Sequence, residues 1–528
     1  MRYGSHLSTK QTVQTEEVLG KDQVKNDEGG YVFGITPEQA FLRFLILGTQ
    51  GGTFYASEKK STLDNCKSAI PFIKTNGLRA VELIVDVSEH GRAPKNDSAI
   101  FALALVCTHG DAEAKRVAYA AITKVCRIGT HLFQFCQAIQ DLRGWSRGLR
   151  TGVSKFYLGD VDKLAYQMVK YQQRDGWTHR DVLRLSHPKI TINWGPEAVS
   201  RASLFRWAVG KEALMGHLPP KLVLAYIEAT TASTGRVCEL IKEHNLSWEM
   251  LPTEKLGEVI VWQTLLPKLP LTALMRNLGR LTNLNILSQP EWNKLVVAKL
   301  TDQAALKKAR LHPLSLLTAL KTYSSGHGNK GSLTWAPVPK IIDALDEAVQ
   351  LSFGMIEPTG KRFLLGVDVS GSMAGSMISG SPLSAREGAA AMALATARTE
   401  EDYGIMAFSG NFIELPLTKK STFNDAIKIT SGLDYDTTDC SLPVLYAMKH
   451  KLVVDCFCIY TDSETYAGRH PFQALQLYRK ETGIQAKMIV VGMTSNNFTI
   501  ADPSDPNMLD VCGFDTTTPQ VISEFAKL

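Results

Sequence analysis

The sequence has no long hydrophobic run and no CxxC motif. In its 528 residues, no apolar stretch approaches the roughly 18 residues that a helix needs to cross a bilayer. The nine cysteines are scattered, contain no CxxC pair and lie mostly in apolar runs such as VVDCFCIY, which is typical of reduced core cysteines rather than of a zinc or disulfide site. The polar first twenty residues lack the apolar centre of a signal peptide. We therefore expect an intracellular protein, cytoplasmic and also nuclear, with no membrane association.

The distribution of charge is uneven along the chain. The net charge of +6 conceals an acidic region at 360–528, with 14 Lys plus Arg against 19 Asp plus Glu, a net of −5. Residues 141–211 hold 13 basic and 6 acidic residues, a net of +7. The basic part of the chain before residue 360 predicts a polyanion partner. The acidic C-terminal part is better suited to binding a divalent cation.

Residues 35–355 have an almost purely helical pattern. The stretch ITPEQAFLRFLIL begins with Thr36 as N-cap, Pro37 at the first helical position and Gln39 two residues later, which is a helix-start signature. Further amphipathic stretches follow, separated by Gly and Pro. Short helices in pairs, without strands between them, predict an α-solenoid or a ring of helical hairpins. Before this region, we expect residues 1–34 to be ordered only in part, with residues 1–16 flexible.

The pattern changes near residues 356–362. Short β-branched or apolar runs (FLLGVDVS, YGIMAFS, DCFCIYTDS and AKMIVVGMTS) alternate with helix-like segments. This alternation predicts a doubly wound parallel sheet with helices on both faces. The sequence therefore predicts a multidomain protein with an all-α region followed by an α/β domain.

The first predicted strand of the α/β domain ends in VDVSGSM. Its carboxylate and two hydroxyls, from Asp368, Ser370 and Ser372, can converge at the strand end, where doubly wound sheets bind ligands. Oxygens from two further loops fit the same edge: Thr438, with Thr437 as the alternative, and Asp462. Such oxygen ligation suits Mg²⁺. The alternative is a simple turn in which Ser370 or Ser372 only caps the next helix.

The densest mixture of basic and aromatic residues lies between residues 160 and 194. A helical spacing predicts that Lys163, Gln167, Lys170 and Arg174 share one helix face. In a second helix, capped by Thr178 after a break at Asp175 and Gly176, a similar face is predicted. It consists of Arg180, Arg184 and His187. The preceding cations are Arg143, Arg147, Arg150 and Lys155. Together these cations can follow a phosphate backbone, although each helix taken alone is equally consistent with a solvated charged face.

Several long stretches resemble a known family. The segments FLRFLILGTQGGTFY, THRDVLRLSHPK, LPLTALMRNLGRLT and HPLSLLTALKTYSSGHGNKGSLTWAP resemble the TROVE module shared by telomerase, Ro and vault proteins. The loops VDVSGSM, TTDCSLP and YTDSETYAGRHP resemble the metal-ion-dependent adhesion site of von Willebrand factor A (vWA) domains, in the form found in the Ro family. The resemblance implies a TROVE domain at 17–358 and a vWA domain at 360–528.

The resemblance implies a function as well as a fold. It implies a HEAT-like ring of helical repeats closed by the vWA domain, and a monomeric, non-enzymatic scaffold in RNA quality control. Such proteins bind Y RNAs on the outer surface of the ring and the single-stranded ends of misfolded noncoding RNAs through its hole. By position, His187 is expected to serve Y RNA binding, and Lys170 and Arg174 the surface used by misfolded RNA.

Four other functions have requirements that can be compared with the sequence. A protein-interaction adaptor would capture a partner carboxylate on the metal, with the helices as a spacer. A two-aspartate phosphatase would need an acid at position 370, where the chain has Ser370, and a two-metal nuclease would need clustered carboxylates. A telomerase-associated protein would need further large domains, for which the chain has no room.

Overall fold

The computed structural model of the protein describes most of the chain. The described residues are 11–48, 69–174, 176–190, 195–211, 217–309, 311–328, 332–353, 357–378, 381–434 and 437–528. Cys66 and Asp175 lie outside them. All the cysteines among the described residues are buried and free, as the sequence predicts. No helix of the described residues is both long enough and apolar enough to span a membrane.

The described part of the N-terminal region is helical. Its helices are α1 (Pro37–Leu47), α2 (Gly77–His90), α3 (Asp97–His109), α4 (Ala112–Val125), α5 (Gly129–Leu142), α6 (Arg147–Ser154), α7 (Val161–Lys170), α8 (His179–Ser186), α9 (Pro196–Ala208), α10 (Lys221–Ala229), α11 (Thr234–His244), α12 (Val259–Leu265), α13 (Leu271–Asn283), α14 (Pro290–Leu300), α15 (Gln303–Ala309), α16 (Pro313–Ser324) and α17 (Pro339–Ser352). Helices two apart in the chain, such as α2 and α4 or α3 and α5, pack on each other. The helices thus form two stacked layers, as in a solenoid.

Side chains at the helix starts explain several boundaries. Thr36 and Gln39 form the predicted capping box of α1, in which each side chain accepts a hydrogen bond from the other residue's backbone N–H. Thr178 and Asp181 cap α8 in the same way. The caps satisfy N–H groups that the first helical turn would otherwise leave unpaired.

The α/β domain is built on one sheet of six strands. Its strands are β5 (Arg362–Asp368), β6 (Asp402–Phe408), β7 (Phe412–Glu414), β8 (Cys456–Thr461), β9 (Lys487–Gly492) and β11 (Met508–Cys512). They lie in the order β11-β9-β8-β5-β6-β7. All neighbours are parallel except the edge strand β7, which is antiparallel to β6. The predicted doubly wound sheet is therefore confirmed, with one antiparallel edge.

Helices cover both faces of this sheet. They are α18 (Gly371–Gly375), α19 (Ala385–Thr399), α20 (Phe423–Ser431), α21 (Leu442–Lys449), α22 (Pro471–Thr482) and α23 (Thr518–Lys527). Successive residues of β5 face opposite sides: Leu365 and Val367 belong to the core that contains α19, whereas Leu364 packs with Phe457 and Tyr478. The first of these cores continues into the helical region, so the two domains share apolar packing.

The α/β domain contacts both ends of the helical region. In α1, the Arg43 guanidinium lies 2.6 and 2.8 Å from the two carboxylate oxygens of Asp510 in β11. At the start of α16, His312 hydrogen-bonds the carbonyl oxygen of Phe514. The first and one of the last helices thus meet the same short segment of the α/β domain. These contacts close the helical arc into a ring.

The described part of the N-terminal segment contacts the α/β domain. Residues 11–34 fold against the α/β domain, where β1 (Val24–Lys25), β2 (Tyr31–Gly34) and β10 (Phe498–Thr499) form a small sheet. Val13 bridges to Arg469, so residues 11–16 are held by main-chain contacts, while residues 1–10 lie outside the described residues. By its contacts, this segment belongs to the α/β domain rather than to the helical region.

Candidate functional site

The predicted metal ligands of the VDVSGSM loop lie at the carboxyl end of the central strand β5. The side chain of Asp368 is buried, and its Oδ1 atom accepts a hydrogen bond of 2.9 Å from the backbone N–H of Ser370. Its Oδ2 atom accepts one of 2.6 Å from the hydroxyl of Thr461. The hydroxyl oxygens of Ser370 and Ser372 lie 3.1 Å apart. The loop therefore gathers one carboxylate and two hydroxyls within a small volume.

Asp462 and Thr438 come to the same edge from neighbouring loops. Asp462 follows β8, which pairs with β5, and its buried carboxylate accepts a hydrogen bond from the backbone N–H of Glu464. The carbonyl oxygen of Thr438 accepts hydrogen bonds from the backbone N–H groups of Tyr466 and Ala467, which joins the two loops. Thr438 is buried and Thr437 is half-buried. The structure thus brings the predicted ligand loops together.

The electrostatics of this edge fit a divalent cation. Burial raises the pKa of Asp368, and burial together with the negative charge of Asp368 raises the pKa of Asp462 to about 7. Two buried carboxylates that repel each other are stabilised in their charged form by a cation between them. Among the described residues no group of three His, Cys, Asp or Glu is placed to hold a metal, so a ligand set at this edge would have to include hydroxyls. Carboxylate and hydroxyl oxygens together suit a hard ion such as Mg²⁺.

Two residues of this edge were not predicted from the sequence. Thr461 contacts Asp368 directly. Its position at the end of an apolar strand, just before Asp462, could have indicated from the sequence that it lies at this edge. Asn26 contacts the loop after Asp462, and its Nδ2 atom donates to the carbonyl oxygens of Ser463 and Thr465. No sequence pattern connects Asn26 with a loop 437 residues away.

The second candidate site is a basic surface on the helical region. One groove of about 590 Å³ is lined by Arg116, Arg147 and Lys155. A second groove of about 610 Å³ is lined by Arg127, Lys155 and Lys163. Because Lys155 lines both grooves, they adjoin each other along successive helices. We call these two grooves together the paired basic grooves.

Glycines of α6 bring this helix close to α4 beneath the first groove. A Cβ atom on Gly148 would lie 2.7 Å from the Tyr119 ring, and one on Gly152 would lie 2.8 Å from the Tyr119 carbonyl oxygen. Both distances are shorter than a van der Waals contact, so larger residues would push the helices apart. The close packing positions Arg147 and Lys155 on the groove walls.

Most of the predicted basic residues are exposed. In the described part of the chain, eight of them lie at the surface and form no ion pair with a carboxylate. These are Arg143, Arg147, Arg150, Lys155, Lys163, Arg174, Arg180 and Arg184. His187 is exposed too and ends α8 in a left-handed conformation, with a φ of 46°. The surface cations on α6 and α8 are therefore available to a ligand.

Three predicted RNA-binding residues have other surroundings. Arg143 directly follows α5 as its C-cap. Its guanidinium donates a hydrogen bond of 2.5 Å to the carbonyl oxygen of Cys107 in α3. The Lys170 ammonium lies 3.5 Å from the Glu249 carboxylate, with both side chains largely buried. Arg174 is exposed but is not on the predicted helix, because α7 ends at Lys170.

A hairpin replaces the predicted last turn of α7. Residues Gln173–Arg174 form strand β3 and pair with Trp177–Thr178, strand β4. Gly176 has a φ of 81°, which the tight turn requires and glycine adopts without strain. The Trp177 indole N–H donates to the Gln137 side chain at 2.8 Å, which ties the hairpin to α5. The prediction that Lys170 and Arg174 share a helix face is therefore wrong.

Comparison with known proteins gives consistent results over nearly the whole chain. Residues 362–526 match the family model of the Ro60 vWA domain, and residues 24–243 and 235–322 match that of the TROVE domain. A curated relative from Deinococcus radiodurans, named RNA-binding protein RO60, is 39% identical over 97% of each chain. A relative of the same name from Caenorhabditis elegans is 36% identical over 98% of this chain and 92% of its own.

A solved structure agrees with these sequence matches. The crystal structure of the Deinococcus radiodurans Ro (Rsr) protein matches with a TM-score of 0.67 and 38% identity, and it covers 93% of this chain and 99% of its own. The helical ring, the vWA sheet and the order of the two domains agree with this likeness. The chain belongs to the Ro60 family, in which a TROVE domain precedes a vWA domain.

Proposed function

We propose that the protein is an RNA-binding scaffold of a small ribonucleoprotein, which binds Y RNAs and the single-stranded ends of misfolded noncoding RNAs in RNA quality control. The observation that supports this most directly is the exposure of Arg147 and Lys155, which line the paired basic grooves and form no ion pair with a carboxylate among the described residues. Relatives that are 36–39% identical over almost their full length are named RNA-binding proteins. We propose that the protein acts in the cytoplasm and also in the nucleus.

Phosphate contacts dominate the affinity of most proteins for nucleic acid. Arginine and lysine side chains without a carboxylate partner are free to make such contacts, and Phe156 and Tyr166 at the second groove offer rings on which bases can stack. The two grooves share Lys155, so their cations follow one another along the surface. This arrangement favours recognition of a strand along its backbone.

The test compares cations of the grooves with a cation that is held by carboxylates elsewhere on the surface. Arg147→Ala combined with Lys155→Ala removes two cations from the first groove and the shared Lys155 from the second, and we expect the affinity for a Y RNA to fall roughly tenfold. Arg236→Ala is the control, because this arginine is held by Glu228, Glu239 and Glu243. Fluorescence anisotropy with labelled RNA measures both. Unchanged binding by the groove variant, or an equal loss in the control, would contradict the proposal.

The proposal includes a divalent cation, with Mg²⁺ as the expected ion, at the edge formed by the VDVSGSM loop. The expected ligands are Asp368, Ser370, Ser372, Thr438 and Asp462. The ion would supply a Lewis-acidic site for an oxygen of a partner, while the surrounding residues hold their oxygens in place. The hydroxyl-rich set gives no two-metal centre for hydrolysis, which supports a non-catalytic role. Mg²⁺-dependent cleavage of RNA by the pure protein, lost in Asp368→Ala, would contradict that role.

A second candidate function rests on the same edge. The vWA domain could act as a protein-interaction adaptor that binds a partner carboxylate through the ion. Ser370→Ala combined with Ser372→Ala should abolish such an interaction and leave RNA binding intact. Loss of RNA binding in this folded double variant would instead assign RNA binding to the vWA domain.

A further inference from the structure

The N-terminal segment is in direct contact with the loop that follows Asp462. Asn26 is buried, and its Nδ2 atom donates hydrogen bonds of 3.1 Å to the carbonyl oxygen of Ser463 and 2.8 Å to that of Thr465. Its Oδ1 atom accepts one of 2.7 Å from the backbone N–H of Gly30. One side chain thus connects the 26–30 turn with the 463–465 loop.

The backbone of this loop is strained at one position. Ser463, which directly follows Asp462, has a φ of 63°, in the left-handed region that non-glycine residues seldom adopt. Such a conformation costs about 1 kcal/mol or more and persists only where its surroundings hold it. The carbonyl oxygen of Ser463 is one of the two acceptors of Asn26. Asn26 is therefore placed to maintain the conformation that directs the chain after Asp462.

The 26–30 turn also fits closely against the loop. A Cβ atom on Gly30 would lie 1.9 Å from the carbonyl oxygen of Thr465, so no side chain can be accommodated there without moving the turn. The Glu464 carboxylate accepts hydrogen bonds from the backbone N–H groups of Asp27 and Glu28, at 3.1 and 3.3 Å. The two segments therefore touch through several bonds, all within three residues of Asp462.

The opposite side of the loop is held by the vWA domain itself. The Asn496 side chain donates to the carbonyl oxygen of Asp462. Asn496 in turn accepts a hydrogen bond from Arg43, which pairs with Asp510. Asp462 thus lies between a support from the folded domain and a support from the N-terminal segment.

We propose that Asn26 is a positioning residue of the cation site, and that the N-terminal segment contributes to that site by holding the loop after Asp462. This inference rests on the cation site proposed above. By holding Ser463 in its left-handed conformation, Asn26 keeps the Asp462 carboxylate next to Asp368 before the ion arrives. Without it, the ion must order the loop itself. Loss of a residue that orients a metal ligand typically lowers metal affinity 10- to 100-fold.

The test measures binding of Mn²⁺, as a probe for a hard divalent ion, to the full-length protein by isothermal titration calorimetry. We expect Asn26→Ala to weaken binding by 10- to 100-fold. Lys21→Ala is the matched control, because Lys21 ties the same segment to Asp502 and Ser504, away from the 463–465 loop. The control should bind as the wild type does. Equal affinity of Asn26→Ala and the wild type overturns the inference, and so does an equal loss in the control.

A second variant and a second measurement keep the test decisive. Gly30→Ala displaces the turn while Asn26 itself is retained, and it should weaken Mn²⁺ binding as well. This variant provides a test if Asn26→Ala does not fold. Hydrogen exchange of the Tyr466 and Ala467 amides, which donate to Thr438, should be faster in Asn26→Ala than in Lys21→Ala. Unchanged exchange contradicts the inference. Absence of Mn²⁺ binding by the wild type itself refutes the cation site, and the two failures are thereby distinguished.

Discussion

The Nε2 atom of His312 lies 2.5 Å from the carbonyl oxygen of Phe514. Since the Nδ1 atom of His312 accepts a hydrogen bond from the backbone N–H of Leu314, the proton is on Nε2 and this atom donates to Phe514. The next residue, Asp515, pairs with Arg92 at 2.6 Å. Two consecutive residues of the vWA domain therefore hold helices from opposite ends of the TROVE ring.

The first prediction concerns the pH dependence of this contact. Burial lowers the pKa of His312 to about 4, although the nearby Asp515 charge opposes the shift. Between the pKa of an unfolded-chain histidine, about 6.5, and this lower value, only the unfolded chain binds the proton. The free energy of unfolding therefore falls as the pH drops through this range.

His312→Gln keeps a donor for Phe514 and removes the titrating group. Between pH 7 and pH 5, the variant should lose about 2 kcal/mol less stability than the wild type. Denaturant unfolding at both pH values measures the difference, and similar stability at pH 7 verifies that the variant folds. Equal losses in the two proteins would contradict the prediction.

The second prediction concerns packing behind the same segment. A Cβ atom on Gly388 in α19 would lie 2.2 Å from the Phe514 ring and 2.7 Å from Ile378. Gly388→Ala should therefore destabilise the protein by about 1–3 kcal/mol. Gly235→Ala is the control, because no atom lies within 4 Å of its added Cβ and alanine favours the helix by about 0.5–1 kcal/mol. Thermal unfolding that ranks the two variants in the opposite order would refute this.

The third prediction concerns Lys170. Its ammonium lies 5.5 and 5.4 Å from the ring centres of Tyr166 and Tyr171 and beside the Glu249 carboxylate. Lys170→Ala should cost about 1–3 kcal/mol of stability, because it leaves a largely buried carboxylate without its partner. A double-mutant cycle with Glu249→Gln should give a coupling energy of about 0.5–3 kcal/mol. A coupling of zero, with lower RNA affinity, would mean that Lys170 contacts RNA instead.

The fourth prediction concerns salt and RNA. Arg180 and Arg184 are one helical turn apart on the exposed face of α8. If each contacts a phosphate of single-stranded RNA, replacing both by Ala should reduce the slope of log affinity against log salt by about 1.4. Binding measured over a series of salt concentrations gives the slope. An unchanged slope would exclude this face from the RNA contact.

The fifth prediction concerns the cation ligands. Mg²⁺ at about 100 times its dissociation constant should stabilise the wild type by roughly 2.7 kcal/mol. Asp368→Asn should abolish this stabilisation because it removes a buried charge at the centre of the site, and Ser370→Ala should reduce it. Thermal unfolding with Mg²⁺ or with EDTA measures both. A full Mg²⁺ effect in Asp368→Asn would place the ion elsewhere.

Local patterns were sufficient to predict much of the fold. The Thr36 cap, the helical texture and the strand that ends at Asp368 depend on neighbours in the sequence, and the structure has all three. The loop of Asp462 lies at the predicted edge because parallel strands end on the same side of a sheet. The Thr438 loop follows a helix instead of a strand, and it is joined to this edge by hydrogen bonds from Tyr466 and Ala467.

Other features depend on contacts that sequence spacing does not encode. The prediction that Lys170 and Arg174 share a helix face is wrong because the turn at Gly176 and the contact of Trp177 with α5 favour a hairpin. The pairing of Lys170 with Glu249 joins residues far apart in the chain. The N-terminal segment is polar, and its fold depends on a partner surface at the other end of the chain.

Asn26 and Ser463 are separated by 437 residues, and the described helices of the TROVE ring lie between them. The segment that contains Asn26 thus packs on the vWA domain from the other side of the ring in sequence. During synthesis on the ribosome, this segment emerges before the ring helices and can meet its partner loop only after they have been made. Contacts of such long range form late and slowly, so completion of the vWA domain is expected to be the final folding step, after the ring helices have packed.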